Sequence, residues 1–435
     1  MSRTAGPFAL LLALAALSAA PAQAFEVATT TGDDTGEALR WGEPAQVPFR
    51  IHHEGSDDLP LLEVQRLLRR SFETWALART SDVSFVEGPI FMGPASHHTG
   101  TDDVDYESAI FFVEAAWPHG PEVIALTSVS FTTEGEIVDS DIAFNGADHR
   151  FTTADSGGSK DFQSIATHEI GHFLGLAHPL PEDLPDPLTE DQWPTMIAEY
   201  EDGSIALRDL TDDDRAGLAF LYPCTGTDCV GSVAWDDGGD GCSMAGSGGT
   251  AVALLLLTVL LVASRRREAA LLALLLVVTP AFGTFIEHRT VAELADGATG
   301  VVRGEVVASR ARWEDGMVRT HVTLAVSETW AGAERDTVEL EIPGGVLETP
   351  LPLHDGRELA GTLVFGAPRM DPGDEVVVVL DGDRVRGLAQ GLFRVEGEVV
   401  TRDLDGLAFA RRPDGVPVHA LPAPARLDEL QAALR

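Results

Sequence analysis

One histidine four residues before a second, and a third six residues beyond that, can serve a single site only if a helix stops between them. The stretch THEIGHFLGLAHP, Thr167 to Pro179, has this arrangement. On an α-helix the step from His168 to His172 turns about 400°, so both imidazoles leave the same face one turn apart. The next step, to His178, would turn about 240° and put the third ring on the far side. Gly175 resolves the conflict, because glycine takes the left-handed conformation that ends a helix and redirects the chain. Pro179 then prevents the helix from resuming. The predicted helix is SKDFQSIATHEIGHFLGLAH, with Ser159 or Asp161 near its N-cap and Phe162, Ile165, Ile170 and Phe173 among its apolar positions. Three neutral imidazoles are the ligand set of a catalytic zinc, since the fourth position stays open to water. Glu169, about 100° round the helix from His168, is placed to reach that water. With 13 histidines and 43 glycines in 435 residues, chance spacing of this kind is on the order of a one-in-ten-thousand event.

The surrounding residues read as an α+β domain. LPLLEVQRLLRRSFETWALA carries Leu61, Val64, Leu67, Leu68, Phe72 and Trp75 at helical spacing. Before it comes the strand candidate QVPFRIH. After it come DVSFVE, SAIFFVEAAW, EVIALTSVSFT and EGEIVDSDIAFN, the last two separated at Gly135, and together they predict one sheet. LTDDDRAGLAFLYP predicts a final helix with Thr211 as N-cap and acidic residues in its first turn, where the helix dipole favours them.

The pattern HExxHxxGxxH, followed by Met196 in QWPTMIAEY, resembles the metzincin zinc endopeptidases with their methionine turn. ALRW, SFETWA, IVDSDIAFN and LTDDDRAGLAFLYP, spread from about Arg40 to Pro223, are similar to the matrixin branch of that group. The resemblance implies a twisted, mostly parallel sheet with an antiparallel edge strand, packed on an active-site helix. It implies His168, His172 and His178 as zinc ligands, Glu169 as general base, and Met196 beneath the histidines, with Gly175 at the break. The implied substrate is a protein or peptide, extended along an edge strand expected to contain part of IVDSDIAFN. Structural calcium or a second zinc is also expected from the family, and His97, His98, Asp102, Asp103 and Asp105 form a candidate metal loop or a solvated turn. Two departures stand out: Pro179 follows the third histidine where matrixins usually carry serine, and no cysteine precedes Cys224, so a thiolate-bearing propeptide is absent. The rival reading is a catalytically silent metal-binding adhesion or scaffold module. Glu169 counts against it, because a purely structural site has no use for a base.

The rest of the chain concerns location. Residues 1–24 predict a secretory signal peptide ending at Ala22-Gln23-Ala24, with Phe25 first in the exported protein. A net charge of -39, in which Lys160 is the single lysine, argues against nucleic acid as a partner. The peptidase-like region spans 25–225. Cys224 and Cys229 suggest a small disulfide loop, with two free thiols as the alternative. Residues 226–249 read as a Gly/Asp/Ser linker containing Cys242, and 250–283 as two apolar segments split by Arg265, Arg266 and Arg267. Glycine-cysteine, apolar run and arginine cluster resemble the C-terminal surface-sorting tags of myxobacterial proteins, which implies processing near Cys242 and only a transient membrane contact. The second apolar segment reads as another secretory signal. Either a membrane hairpin joins two exported domains, or two neighbouring genes have been read as one. Residues 285–425 alternate strand-like runs and predict a second, all-β sandwich or barrel, similar to an exported bacterial β domain. Its histidines, His288, His321, His354 and His419, have no ligand spacing.

Overall fold

The computed structural model describes residues 24–234 and 284–435, apart from 34, 43–44, 95–105, 154–158, 181–183, 185–187, 227–228, 230, 403, 405–406 and 411–424. The signal peptide, Cys242, both apolar segments and the loop bearing His97, His98, Asp102, Asp103 and Asp105 lie outside the described residues. Among the described residues no helix is long and apolar enough to cross a membrane.

The first half is a mixed sheet on two helices, as an α+β chain with these alternating apolar runs requires. Its strands are β1 (Gln46–Ile51), β2 (Ser84–Glu87), β3 (Ala109–Val113), β4 (Ala125–Thr132) and β5 (Glu136–Asn145). They lie in the order β2-β1-β3-β5-β4, parallel except for β4, which turns back along β5 through Gly135 at φ +79°. Helix α1 (Leu61–Ala76) buries Val64, Leu67, Leu68, Phe72 and Trp75, the face its periodicity predicts. Phe72 stacks on Phe49 of β1 at 3.8 Å between ring centroids, and the Trp75 indole donates to the Thr167 carbonyl at 2.8 Å. The first contact seats α1 on the sheet and the second brings it against α2 (Phe162–Phe173), which is buried along its whole length. Helix α3 (Asp212–Leu221) starts at Thr211 as expected, with the Thr211 hydroxyl donating to the Asp214 carboxylate at 2.8 Å. A disulfide joins Cys224 to Cys229.

The second half departs from an all-β domain packed on itself. It carries the short helices α4 (Val291–Ala295) and α5 (Leu427–Leu434). Its strands divide between two tasks. After β6 (Glu199–Tyr200) of the first half come β7 (Phe285–Glu287), β8 (Gly300–Glu314), β9 (Met317–Ala331), β10 (Thr337–Pro343), β11 (Gly345–Pro352), β12 (Glu358–Val364), β13 (Glu375–Asp381), β14 (Leu392–Glu396), β15 (Val399–Thr401) and β16 (Ala408–Ala410). Strands β10-β9-β8-β13-β14-β15 form a sheet belonging to this half alone, with Val302, Val322, Leu340 and Val378 in its core. The hairpin β11-β12 instead extends the first half's sheet beyond β4, and β7 and β16 form a small sheet with β6. Alternating apolar runs show that strands form; which sheet each joins depends on edges contributed by distant residues. One cluster of buried residues consequently runs across both halves, from Phe72, Phe162 and Met196 to Phe285, Phe365 and Ala408.

Candidate active site

Helix α2 begins where the Asp161 side chain accepts from the Ser164 amide at 2.8 Å, so Asp161 is the N-cap. It ends at Phe173, and Gly175 stands at φ +96°. A Cβ on Gly175 would lie 2.1 Å from the Leu39 carbonyl oxygen, so both its conformation and its surroundings require glycine. The last carbonyls of the helix are taken by side chains from distant segments, Phe173 by the Trp41 indole at 2.9 Å and Leu174 by the Tyr222 hydroxyl at 2.6 Å.

The break brings the third ring round as its spacing predicts. The Nε2 atom of His168 lies 2.9 Å from that of His172 and 3.0 Å from that of His178. The Nδ1 atoms of His168 and His172 face the carbonyl oxygens of Thr195, at 2.7 Å, and Leu176, at 2.9 Å. A carbonyl can only accept, so each of these rings carries its proton on Nδ1 and turns a lone pair inward from Nε2. Burial drives all three imidazoles toward the neutral form, His168 down to about 3 and the other two well below the ordinary value. Three Nε2 atoms this close, at least two of them turning lone pairs inward, repel one another until a cation stands between them. Zinc bonds of about 2.0–2.1 Å would set tetrahedral nitrogens about 3.3 Å apart, a small expansion of the observed spacing. The donor set therefore fits a divalent metal, and among the described residues His168, His172 and His178 form a group able to hold one.

Glu169 is wholly buried beside the triad. Burial, partly offset by the Thr127 hydroxyl and by the nearby Phe285 backbone, pushes its carboxyl up to about 8. The Thr127 hydroxyl of β4 holds Oε2, while Oε1 has no well-formed hydrogen bond. Met196 is buried under α2, and a Cβ on Gly171 would lie 2.1 Å from the Met196 sulfur and 3.0 Å from the Trp75 ring. The glycine between the two helical histidines is thus a close-approach position. It lets α2 settle on the methionine.

Residues 40–223 match the matrixin peptidase family. The matched residues contain the triad, Glu169 and Met196, and the family they are similar to implies catalytic zinc and zinc-dependent peptidase activity on proteins or peptides. No curated protein matches the chain.

Several site residues carried no sequence signal. Asp214, on α3, accepts from the backbone amides of Thr195 at 2.8 Å and Met196 at 3.0 Å, so it fixes the turn whose carbonyl orients His168. Thr127 was visible only as one more residue of an alternating strand. One expectation needs correction: IVDSDIAFN, as β5, lies inside the sheet, and the antiparallel strand at the margin of the matrixin region is β4. Reversal at Gly135 puts the later strand inward, an order that hydrophobic alternation does not encode. The cavities of about 960 Å³ and about 590 Å³ between the halves are lined by residues such as Trp117 and Arg384 or Thr31 and Arg369, and the triad lines neither.

Proposed function

We propose that the matrixin region is an exported zinc endopeptidase in which His168, His172 and His178 hold the metal and Glu169 is the general base. The observation that carries this reading is the convergence of three inward Nε2 atoms next to a buried carboxylate that is not a fourth ligand. Zinc in such a site acts as a Lewis acid, lowering the pKa of water from about 16 toward about 7 and polarising a peptide carbonyl. Glu169 takes the proton of the attacking water on its unpartnered Oε1 and returns it to the leaving amine. The Thr127 hydroxyl holds the other carboxylate oxygen, so the base keeps one orientation through both transfers. The elevated carboxyl pKa belongs to the metal-free site; a divalent cation nearby favours the ionised form that a base needs.

Export rests on the signal-like residues 1–24, and display or release on the tag-like order of Cys242, apolar run and Arg265–Arg267. A mature start at Phe25 has support of a different kind, because the Ala24 and Phe25 backbone nitrogens lie 2.8 Å and 3.1 Å from the Asp213 carboxylate. Cleavage there would leave an ammonium group against that acid. Metal analysis together with hydrolysis of casein, with and without chelator, tests the enzyme reading. Wild-type protein is expected to bind one zinc, and chelator to abolish whatever cleavage it shows, whereas Glu169→Ala keeps zinc and cleaves nothing. Proteolysis retained by Glu169→Ala would sink the mechanism.

A further inference from the structure

The second half of the chain occupies both walls of the cleft over the three histidines. On one wall, β12 pairs antiparallel with β4, Leu359 opposite Thr132 through Val364 opposite Ser128, and the Phe365 amide donates to the Thr127 carbonyl at 3.2 Å. Further along the same edge, the Ile124 amide donates to the Phe285 carbonyl at 2.8 Å and the Glu287 amide to the Glu122 carbonyl at 2.7 Å. The edge is therefore engaged from Glu122 to Thr132. On the other wall, β6 pairs parallel with β16, and the Phe409 amide donates to the Ala198 carbonyl at 3.0 Å. Strand β7 lies between, paired with β16. The two stretches that meet at the triad each set an aromatic ring on it: Phe285 at 4.2 Å from His168 and Phe365 at 4.3 Å from His172, centroid to centroid. Both phenylalanines, the three histidines and Glu169 are fully buried.

We propose that residues 284–435 are a built-in inhibitor of the peptidase, docked in the substrate cleft as added strands. This rests on the zinc-peptidase reading of the site. A substrate extended along β4 would need the same backbone groups that β7 and β12 already use, so the two bind exclusively of each other. The docked strands are also not presented for hydrolysis. The Phe285 carbonyl is held by the Ile124 amide of the edge, and the Phe365 carbonyl accepts from the Thr284 hydroxyl, so neither is free to turn to the metal position. Side chains match along the join as in an interface: Ser130 and Thr362 share a hydrogen bond of 3.0 Å, Arg357 pairs with Glu136 at 2.8 Å, and Val123 and Leu126 pack with Ile286, Val364 and Phe409. Because the remaining sheet of this half has its own core, the inhibitor can leave the cleft without unfolding altogether.

The test uses the intact chain loaded with zinc. Gly361 of β12 has the Gly345 carbonyl of β11 and the Phe131 ring of β4 where a Cβ would stand, at 2.5 Å and 3.0 Å, so Gly361→Val distorts the β11-β12 hairpin and its seat on the edge without touching the triad. A second variant, Phe285→Ala with Phe365→Ala, removes the two rings. Three quantities are read: hydrolysis of a fluorogenic peptide, the rate at which a chelator strips zinc, and hydrogen exchange of amides 122–132 against those of α1 as a folding control. Each variant is expected to raise hydrolysis and zinc loss by at least about tenfold, because truncating even one buried phenylalanine shifts a docking equilibrium by more than that. Amides 122–132 should lose protection while α1 keeps it. Wild-type chain that hydrolyses peptide as fast as the variants, or whose amides 122–132 exchange freely, would overturn the inhibitor alone. Cleft exposure and faster zinc loss without hydrolysis in either variant would overturn the peptidase reading, and the inhibitor with it.

Discussion

Replacing Asp214 by asparagine should loosen a metal ligand that Asp214 never touches. Its Oδ1 accepts from the Met196 amide at 3.0 Å, and its Oδ2 from the amides of Thr195 at 2.8 Å and Thr211 at 2.7 Å and from the Thr211 hydroxyl at 2.8 Å. Burial pushes this carboxyl above the ordinary aspartate range, while those donors act in the opposite direction. An amide of the same shape has one acceptor oxygen, so at least one donor faces an NH₂ group whichever way the side chain lies. Losing one hydrogen bond to a charged acceptor costs about 1.5–3 kcal/mol, and weakening the others brings the total to about 2–4 kcal/mol. For a domain of this size that lowers the melting temperature by roughly 5–15 °C. The distinctive consequence is at the metal. Thr195 carries both the amide held by Asp214 and the carbonyl facing His168 Nδ1, so the ring loses its fixed orientation and zinc affinity should fall by about tenfold. Calorimetry and chelator competition measure the two effects, with Asp213→Asn, one position away and bonded to residues 24 and 25, as control. A lowered melting temperature with unchanged zinc affinity would refute the path through Thr195.

Gly175→Ala should cost at least about 3 kcal/mol in urea unfolding, because the φ of +96° and a Cβ 2.1 Å from the Leu39 carbonyl cannot both be relieved; it should also weaken zinc binding by displacing His178. In the metal-free protein, Glu169 has a carboxyl raised from 4.5 to about 8, so the folded state disfavours its charged form and loses stability as pH rises from about 5 to 8. Glu169→Gln should flatten that part of the stability curve, and an unchanged slope would reject burial as its cause. His168 has the opposite sign: lowered from 6.5 to about 3, it withdraws stability as pH falls below about 6.5, a loss that thermal melts of the metal-free protein should register.

Much of the site was legible because it is local. His168, Glu169 and His172 lie on one helix whose geometry fixes their directions, and the turn at Gly175 follows from a residue type with few other uses there. The apolar face of α1 and the caps at Asp161 and Thr211 were legible for the same reason. Thr127 and Asp214 were not, since a threonine in a strand and an aspartate in a first helical turn have ordinary reasons to be present. Nothing in the sequence marks Gly171 as a close-approach position; Met196 and Trp75, closing on it from distant segments, make it one.

By itself, the sequence determined the main helices and strands of the first half, the inward turn of three imidazoles and the carboxylate beside them, all set by interactions within about a dozen residues. Tertiary structure alone decided which strand borders the cleft and what covers it. The hydrogen bond between Ser130 and Thr362 spans 232 positions and that between Thr127 and Glu169 spans 42. A strand's alternation shows that one face will be buried, but the strand it pairs with depends on which edges remain open once the rest of the chain has folded.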